Sequence, residues 1–577
     1  MVCMRKLLKY LKNYKLQSIL APLFKLLEVG FELFVPIVVS AIIDKGINGG
    51  EGWRYIVNAC LILVALGAVG LVSAVAAQYF AAKAAVGFSK ELRHDLFDKM
   101  QSLSYRDIDR IGTAKMITRM TSDVNQIQSG VNLVLRLFLR SPFIVFGAMI
   151  MAFVLDLVSG GVFVATIVVL FIVVFAIILT SIPLYKKVQG KLDNVTVSTR
   201  ETLTGVRVLR AFCKEDEEIS KYNKRNEELT KSQIIVGKIS ALMNPLTYAI
   251  INAAIIVLLY VGAIKIEAGS LSQGNVVALY NYMSQILVEL IKLANLIITV
   301  TKSFACAGRI NEILEMPVAE KVNNLNNSVK GRPFIEFDNV CVNYGDAEMD
   351  ALSNISFTVE RGQTVGIIGG TGAGKTTLVN MIPHFYDTKS GNILIDGESV
   401  AAIGDEVLRS KCGIVPQHPV LFKGTIRENM HWGKANATAD EILSAIKTAQ
   451  AEDIINSKAD GLDGIVEQGG RNFSGGQRQR LTIARALVKK PEILILDDSG
   501  SALDYATDAK LRKSLKELDY KPTVFIVTQR TSSIRHADKI IVLDGGKMVG
   551  MGTHEELLKN CEIYNEIHFS QYEKEGA

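Results

Sequence analysis

The residues best equipped for chemistry lie in the second half of the chain. Within TVGIIGGTGAGKTTLVN, the spacing Gly369-x-x-x-x-Gly374-Lys375-Thr376 follows an apolar run that reads as a strand and precedes one that reads as a helix. Glycines at Gly369, Gly370, Gly372 and Gly374, with Thr371 and Ala373 between them, let backbone N–H groups close around phosphate oxygens. Lys375 is placed to neutralise the β and γ oxygens and the Thr376 hydroxyl to reach Mg²⁺, with Thr377 next in the nucleotide-binding set. That strand–loop–helix frame predicts a nucleotide site rather than an incidental glycine turn. Downstream, ILILD ends a buried strand on Asp497, whose carboxylate is placed to hold the same Mg²⁺. Between them, in RNFSGGQRQRLTIARAL, Ser474, Gly475 and Gly476 open a helix and so form an anion-binding N-terminus.

Elements must hold these residues, and the 577-residue chain is long enough for more than one domain. Its two halves differ. Up to about Thr301 the sequence repeats long apolar runs, whereas from Phe334 it reads as an ordinary cytosolic α/β protein. A spanning helix needs about 20 apolar residues, and six stretches qualify: 17–43, 55–82, 132–155, 159–183, 243–265 and 275–300. Six such runs in one half leave too little polar surface for a soluble domain. Long basic loops follow the second stretch (Lys90 to Arg119) and the fourth (Lys186 to Arg210), while the other loops are short and nearly balanced. The positive-inside rule therefore puts both long loops, both termini and the nucleotide site in the cytoplasm. FSKELRHDLFDKMQSL keeps helical spacing, so the spans should continue as helices beyond the membrane.

Charges inside spans are expensive and usually face a cavity or a partner. Glu289 is the foremost candidate for a substrate-cavity residue, with an ion pair to Lys292 or a neighbouring helix as the alternative. At the N-terminus, Met4, Leu7, Leu8, Leu11 and Tyr14 recur at helical spacing, with Arg5, Lys6, Lys9, Lys12 and Lys15 mostly elsewhere. This suits a helix on an anionic membrane surface; a solvated basic tail is the plainer reading. Seven scattered cysteines without a CxxC pair suggest neither a disulfide framework nor a zinc site. The net charge of +6 is explained by the cytoplasmic loops, so nucleic acid is not expected as a partner.

P-loop, SGGQ and the Asp497 strand, in that order and spacing, resemble an ABC ATPase; with six preceding spans the chain resembles an ABC exporter half-transporter. The resemblance implies an all-α polytopic membrane domain of six transmembrane helices over 1–312, a linker over 313–332 and an α/β P-loop NTPase domain over 333–577. It also implies roles residue by residue. Tyr344 would stack on adenine. Gln417 would sense Mg²⁺ and the attacking water. Ser474, Gly475, Gly476 and Gln477 would act as the signature, Glu467 and Gln468 as a cross-contact loop, and Ser501–Asp504 as the D-loop. Tyr105–Arg110 and Glu201–Arg210 resemble the two coupling-helix regions.

Two positions depart from the family pattern. Asp498 stands where a glutamate base is usual, and Gln529 where a histidine is usual; glutamine cannot exchange a proton at neutral pH. This combination resembles the degenerate subunits of bacterial heterodimeric multidrug exporters. It implies a chain that binds ATP with Mg²⁺, hydrolyses it poorly alone, and completes the site of a second half-transporter bearing Glu, His and a weakened signature. The expected cargo is a small amphipathic or lipid-like compound moved out across the plasma membrane. The alternatives are an ATP-gated regulatory or channel-like protein, and a dedicated peptide or metal-chelate transporter.

Overall fold

The computed structural model describes residues 2–317, 332–344 and 349–571; of the expected linker 313–332, residues 318–331 lie outside these. The chain divides into two compact units, Met1–Gln101 with Ala114–Met316, and Ser102–Thr113 with Pro317–Ala577.

The first unit is helical. Among the described residues, six helical stretches are long and apolar enough to cross a membrane: Leu8–Asn48, Trp53–Gln101, Thr113–Leu155, Leu157–Thr204, Glu215–Glu267 and Gln273–Leu314. Each contains one of the runs read from the sequence. Trp53–Gln101 has 49 residues, hence a length of about 70 Å at the α-helical rise. The hydrocarbon core is about 30 Å thick, so this helix extends well past it. Leu61, Val64, Val72, Ile172, Ile256 and Tyr260 stand exposed along the spans, a pattern that lipid favours and water does not.

Charges at membrane depth are gathered inside the bundle. Arg140 pairs with Glu289, lies 3.0 Å from Glu32 and 3.8 Å from Glu28. Lys292 donates to Glu289 at 2.7 Å and the Ser141 hydroxyl donates to the same carboxylate at 2.9 Å, while Lys25 reaches Glu28 at 2.5 Å. Glu289 is 3% exposed. The ion pair that was one of the two readings at this residue is present: its carboxylate is held by three neighbours, because a buried charge is stable only when paired. At the N-terminus the apolar side of the expected helix is divided between burial and exposure. A helix, Val2–Leu7, and a tighter turn, Leu8–Tyr14, lead into the first span, and Leu7 and Tyr10 are buried against the chain's own helices. Leu8, beside them, stays exposed.

The second unit holds a central sheet whose strands lie in the order Lys547–Gly552, Lys539–Asp544, Thr364–Gly369, Thr523–Val527, Ile493–Asp497, Cys412–Val415. All neighbours run parallel except the first pair. Every residue of Ile493–Asp497 is buried, as expected of a parallel strand covered on both faces. A smaller antiparallel sheet pairs Ile335–Val342 with Leu352–Val359 and with Ser390–Ile395. The segment Ser102–Thr113 packs within this unit. Its helix Tyr105–Ile111 is capped by Ser104, which accepts from the Asp107 N–H at 3.1 Å.

Candidate functional site

Parallel strands present their carboxyl ends at one edge, and ligands of open α/β sheets bind there. Here Thr364–Gly369, Thr523–Val527 and Ile493–Asp497 are adjacent, with Ile367 and Asp497 both in register with Val527. The glycine loop, Gln529 and the Asp497–Asp498 pair thus emerge side by side, although they are far apart in sequence.

The glycine loop turns through Gly372 (φ 81°) and Gly374 (φ 93°), left-handed conformations open to glycine. At Gly374 an added Cβ would lie 2.8 Å from Leu352 and 2.9 Å from the Ala351 carbonyl, whereas at Gly370 and Gly372 it would meet nothing. The inner glycine therefore closes the turn and the outer two leave the backbone bare. Lys375 begins the helix Lys375–Met381 and donates to the Gly369 and Gly370 carbonyls at 2.9 and 2.6 Å. Burial lowers its pKa, against the pull of Asp498 and Asp497. The Thr376 hydroxyl donates to Asp497 at 3.1 Å. Burial pushes the Asp497 carboxyl above its ordinary range in spite of that bond, and Asp498 adds to the rise.

These groups surround a cavity of about 360 Å³, whose walls include Tyr344, the loop Thr371–Thr377, Gln417, Asp497, Asp498 and Gln529. Tyr344 donates to Thr377 at 3.1 Å. The donor set suits Mg²⁺. A hydroxyl, two adjacent carboxylates and an amide offer hard oxygen ligands while leaving the other positions for water and phosphate.

Ala351 and Val527 also line the cavity. Sequence reasoning missed both, because an apolar side chain in a wall leaves no chemical signature. The contacts of Tyr105 were likewise hidden. Its ring lies 4.3 Å from that of Phe385, and Tyr386 donates to Asp109 at 2.7 Å while packing edge-on to Tyr344 at 4.9 Å. A short aromatic path thus joins the segment 102–113 to the cavity rim.

Several expected site residues lie elsewhere. Ser474 caps Gly475–Leu487 in a reciprocal box with Gln477, at 3.3 Å and 2.9 Å. Nothing occupies the space beside Gly475, while a Cβ on Gly476 would meet the Ala502 carbonyl at 3.0 Å. Asp504 caps Tyr505–Lys516 by accepting from the Thr507 N–H at 2.8 Å. Neither the signature nor Asp504 is among the residues that line the cavity around Lys375. Glu289 belongs to the other unit.

Comparisons with known proteins agree with this architecture. Residues 18–290 match the ABC transporter transmembrane region and residues 352–501 the ABC transporter domain. An ABC transporter ATP-binding protein of Bacillus subtilis, YfiB, is 35% identical over 575 residues, covering 100% of both chains. A putative multidrug export ATP-binding/permease protein of the same species, YgaD, is 31% identical over 98% of each. Among solved structures, a bacterial Atm1-family ABC exporter with ATP bound superposes with a TM-score of 0.79 at 25% identity, over 98% of this chain and 99% of that one. Because a multi-pass helical domain and an ABC ATPase domain occur here in one polypeptide and match such relatives from end to end, this chain belongs to the ABC transporter family, as an exporter-type half-transporter.

Proposed function

We propose that this chain is the degenerate-site subunit of a heterodimeric ABC exporter that moves small amphipathic compounds out of the cytoplasm. The observation that carries the reading is the placement of Asp498 and Gln529. Both line the same cavity as Lys375, Thr376 and Asp497, which supports a reading in which the two departures from the family pattern bear on nucleotide chemistry. ATP supplies the phosphoanhydride whose binding and cleavage drive the transport cycle.

The chain's own residues divide the remaining work. The bare backbone at Gly370 and Gly372 and the ammonium of Lys375 receive the phosphates, and Tyr344 supplies an aromatic edge at the rim. Thr376, Asp497 and Gln417 would hold Mg²⁺, which offsets charge on the phosphates. Asp498 is one methylene shorter than a glutamate base, and Gln529 offers no titrating nitrogen; general-base catalysis is worth about 10²–10⁴-fold, so this site turns over slowly. Ser474–Gln477 and Asp504 stand outside that cavity, with Gly475 open. They complete the site of a partner half-transporter that carries Glu and His. In this reading the assembly lies in the plasma membrane with both termini and the nucleotide domain cytoplasmic. YgaD, the multidrug-export relative, favours the amphipathic cargo.

The test is turnover with and without a partner. The purified chain in lipid nanodiscs should bind ATP and release phosphate slowly, and a companion half-transporter with Glu and His should restore rapid release. Brisk hydrolysis by this chain alone would defeat the division of labour.

A further inference from the structure

At the bend where the N-terminal turn meets the first span, the chain is pinned on one side and left open on the other. Tyr14 leaves helical geometry (φ −120°, ψ 26°) before the helix Lys15–Ala41 begins. Its ring occupies the space beside Gly87, where an added Cβ would lie 2.1 Å from the ring carbon Cζ. Tyr10 packs edge-on against Phe88 with ring centres 6.1 Å apart. Only a glycine at 87 admits this seat, so the bend is built and not incidental.

The opposite side is different. A cavity of about 460 Å³ opens there, its walls including Leu8, Leu11 and Ile19 together with Lys9, Lys12 and Lys15. Leu8 is 48% exposed and Ile19 65%. Asp95 lies 3.6 Å from Lys9 and partly offsets it, whereas Lys12 and Lys15 form no ion pair among the described residues. Exposed aliphatic side chains beside unneutralised ammonium groups, at the end of a membrane span, call for a ligand that is apolar along its length and anionic at its head.

We propose that this bend is a binding site for one anionic phospholipid, its phosphodiester on Lys12 and Lys15 and an acyl chain along Leu8, Leu11 and Ile19. Free phosphate shares the headgroup chemistry but would leave the aliphatic wall uncovered. A zwitterionic lipid carries its own cation and would gain little from the lysines.

Native mass spectrometry of the full chain, delipidated in detergent and titrated with phosphatidylglycerol or phosphatidylcholine, tests the site. The parent should bind its first phosphatidylglycerol more tightly than phosphatidylcholine. K12Q/K15Q should lower that affinity by about 30-fold, the product of two lysines near an anionic surface, with an unchanged melting temperature, and K12R/K15R should retain it. Gly87→Ala, which displaces Tyr14 without altering charge, should also weaken binding. Glycerol 3-phosphate, which has the head and no chains, should not compete at equal concentration. An unchanged phosphatidylglycerol preference in K12Q/K15Q would overturn the proposal, as would full competition by glycerol 3-phosphate.

Discussion

Replacing Asp498 with Glu and Gln529 with His in one chain perturbs the cavity at the two positions that the proposed function holds responsible for slow turnover. The backbone at 498 has little freedom. It follows a fully buried strand, and its N–H donates to the Val527 carbonyl at 3.0 Å. Reach therefore depends on side-chain length, and one more methylene advances the carboxylate by about 1.5 Å. That increment is about half the heavy-atom distance of a hydrogen bond, enough to decide whether a carboxylate touches a water directly or through another. Asp498 also sits at φ 46°, a left-handed conformation that Asp adopts more readily than Glu. The exchange thus costs about 1 kcal/mol in the fold. Against it stands a base contribution of about 10²–10⁴-fold, or about 2.7–5.5 kcal/mol of barrier. The gain should win. Because the signature is intact, a self-paired D498E/Q529H assembly would own two repaired sites. Phosphate release at saturating ATP in nanodiscs should rise about 100-fold or more over the parent, with nucleotide affinity unchanged and each single variant in between. A double variant that binds ATP normally yet turns over no faster than the parent would refute the claim that these two side chains limit the site.

The remaining expectations concern the supports of the two units. Glu289→Gln removes the charge that Arg140 and Lys292 share. Glu32 remains 3.0 Å from Arg140, so the loss should not exceed the about 3–5 kcal/mol of a broken buried pair. Thermal denaturation in nanodiscs should show a lower midpoint. Ser474→Ala opens the capping box and should cost the nucleotide domain about 1 kcal/mol. In a mixed assembly it should slow hydrolysis at the partner's P-loop and leave ATP binding around Lys375 intact, as read by site-selective nucleotide trapping. His554 supplies a pH dependence. Burial, with His568 and Arg535 nearby, lowers its pKa from 6.5, and its Nδ1 lies 2.7 Å from the Tyr564 hydroxyl. As pH falls below the unfolded value, the unfolded chain takes up the proton first. The stability is thus complete above that value and is lost as pH falls through the lowered folded one. Melting of the parent should decline over that window, and H554Q should flatten the decline.

What the sequence could settle was whatever depends on neighbours in the chain. The six apolar runs became six long helices because a lipid-exposed backbone has to satisfy its own hydrogen bonds. The glycine loop became a left-handed turn between strand and helix because Gly372 and Gly374 permit it. Ser474 became a helix cap because a hydroxyl three residues before Gln477 closes a reciprocal box. Position in space was decided otherwise. Only the parallel register of three strands carried Asp498 and Gln529 to the same cavity wall as Lys375. Only the packing of the third span against the sixth brought Arg140 and Ser141 to Glu289, which has Lys292 one turn away on its own helix. The apolar face of the N-terminus was plain in its periodicity, yet nothing local could say that Gly87 and Phe88 would cover part of it. Local hydrogen bonding and steric preference act within a few residues and are written in the order of the chain. Long-range pairing rests on the summed burial of many side chains, which exists only once the chain has folded.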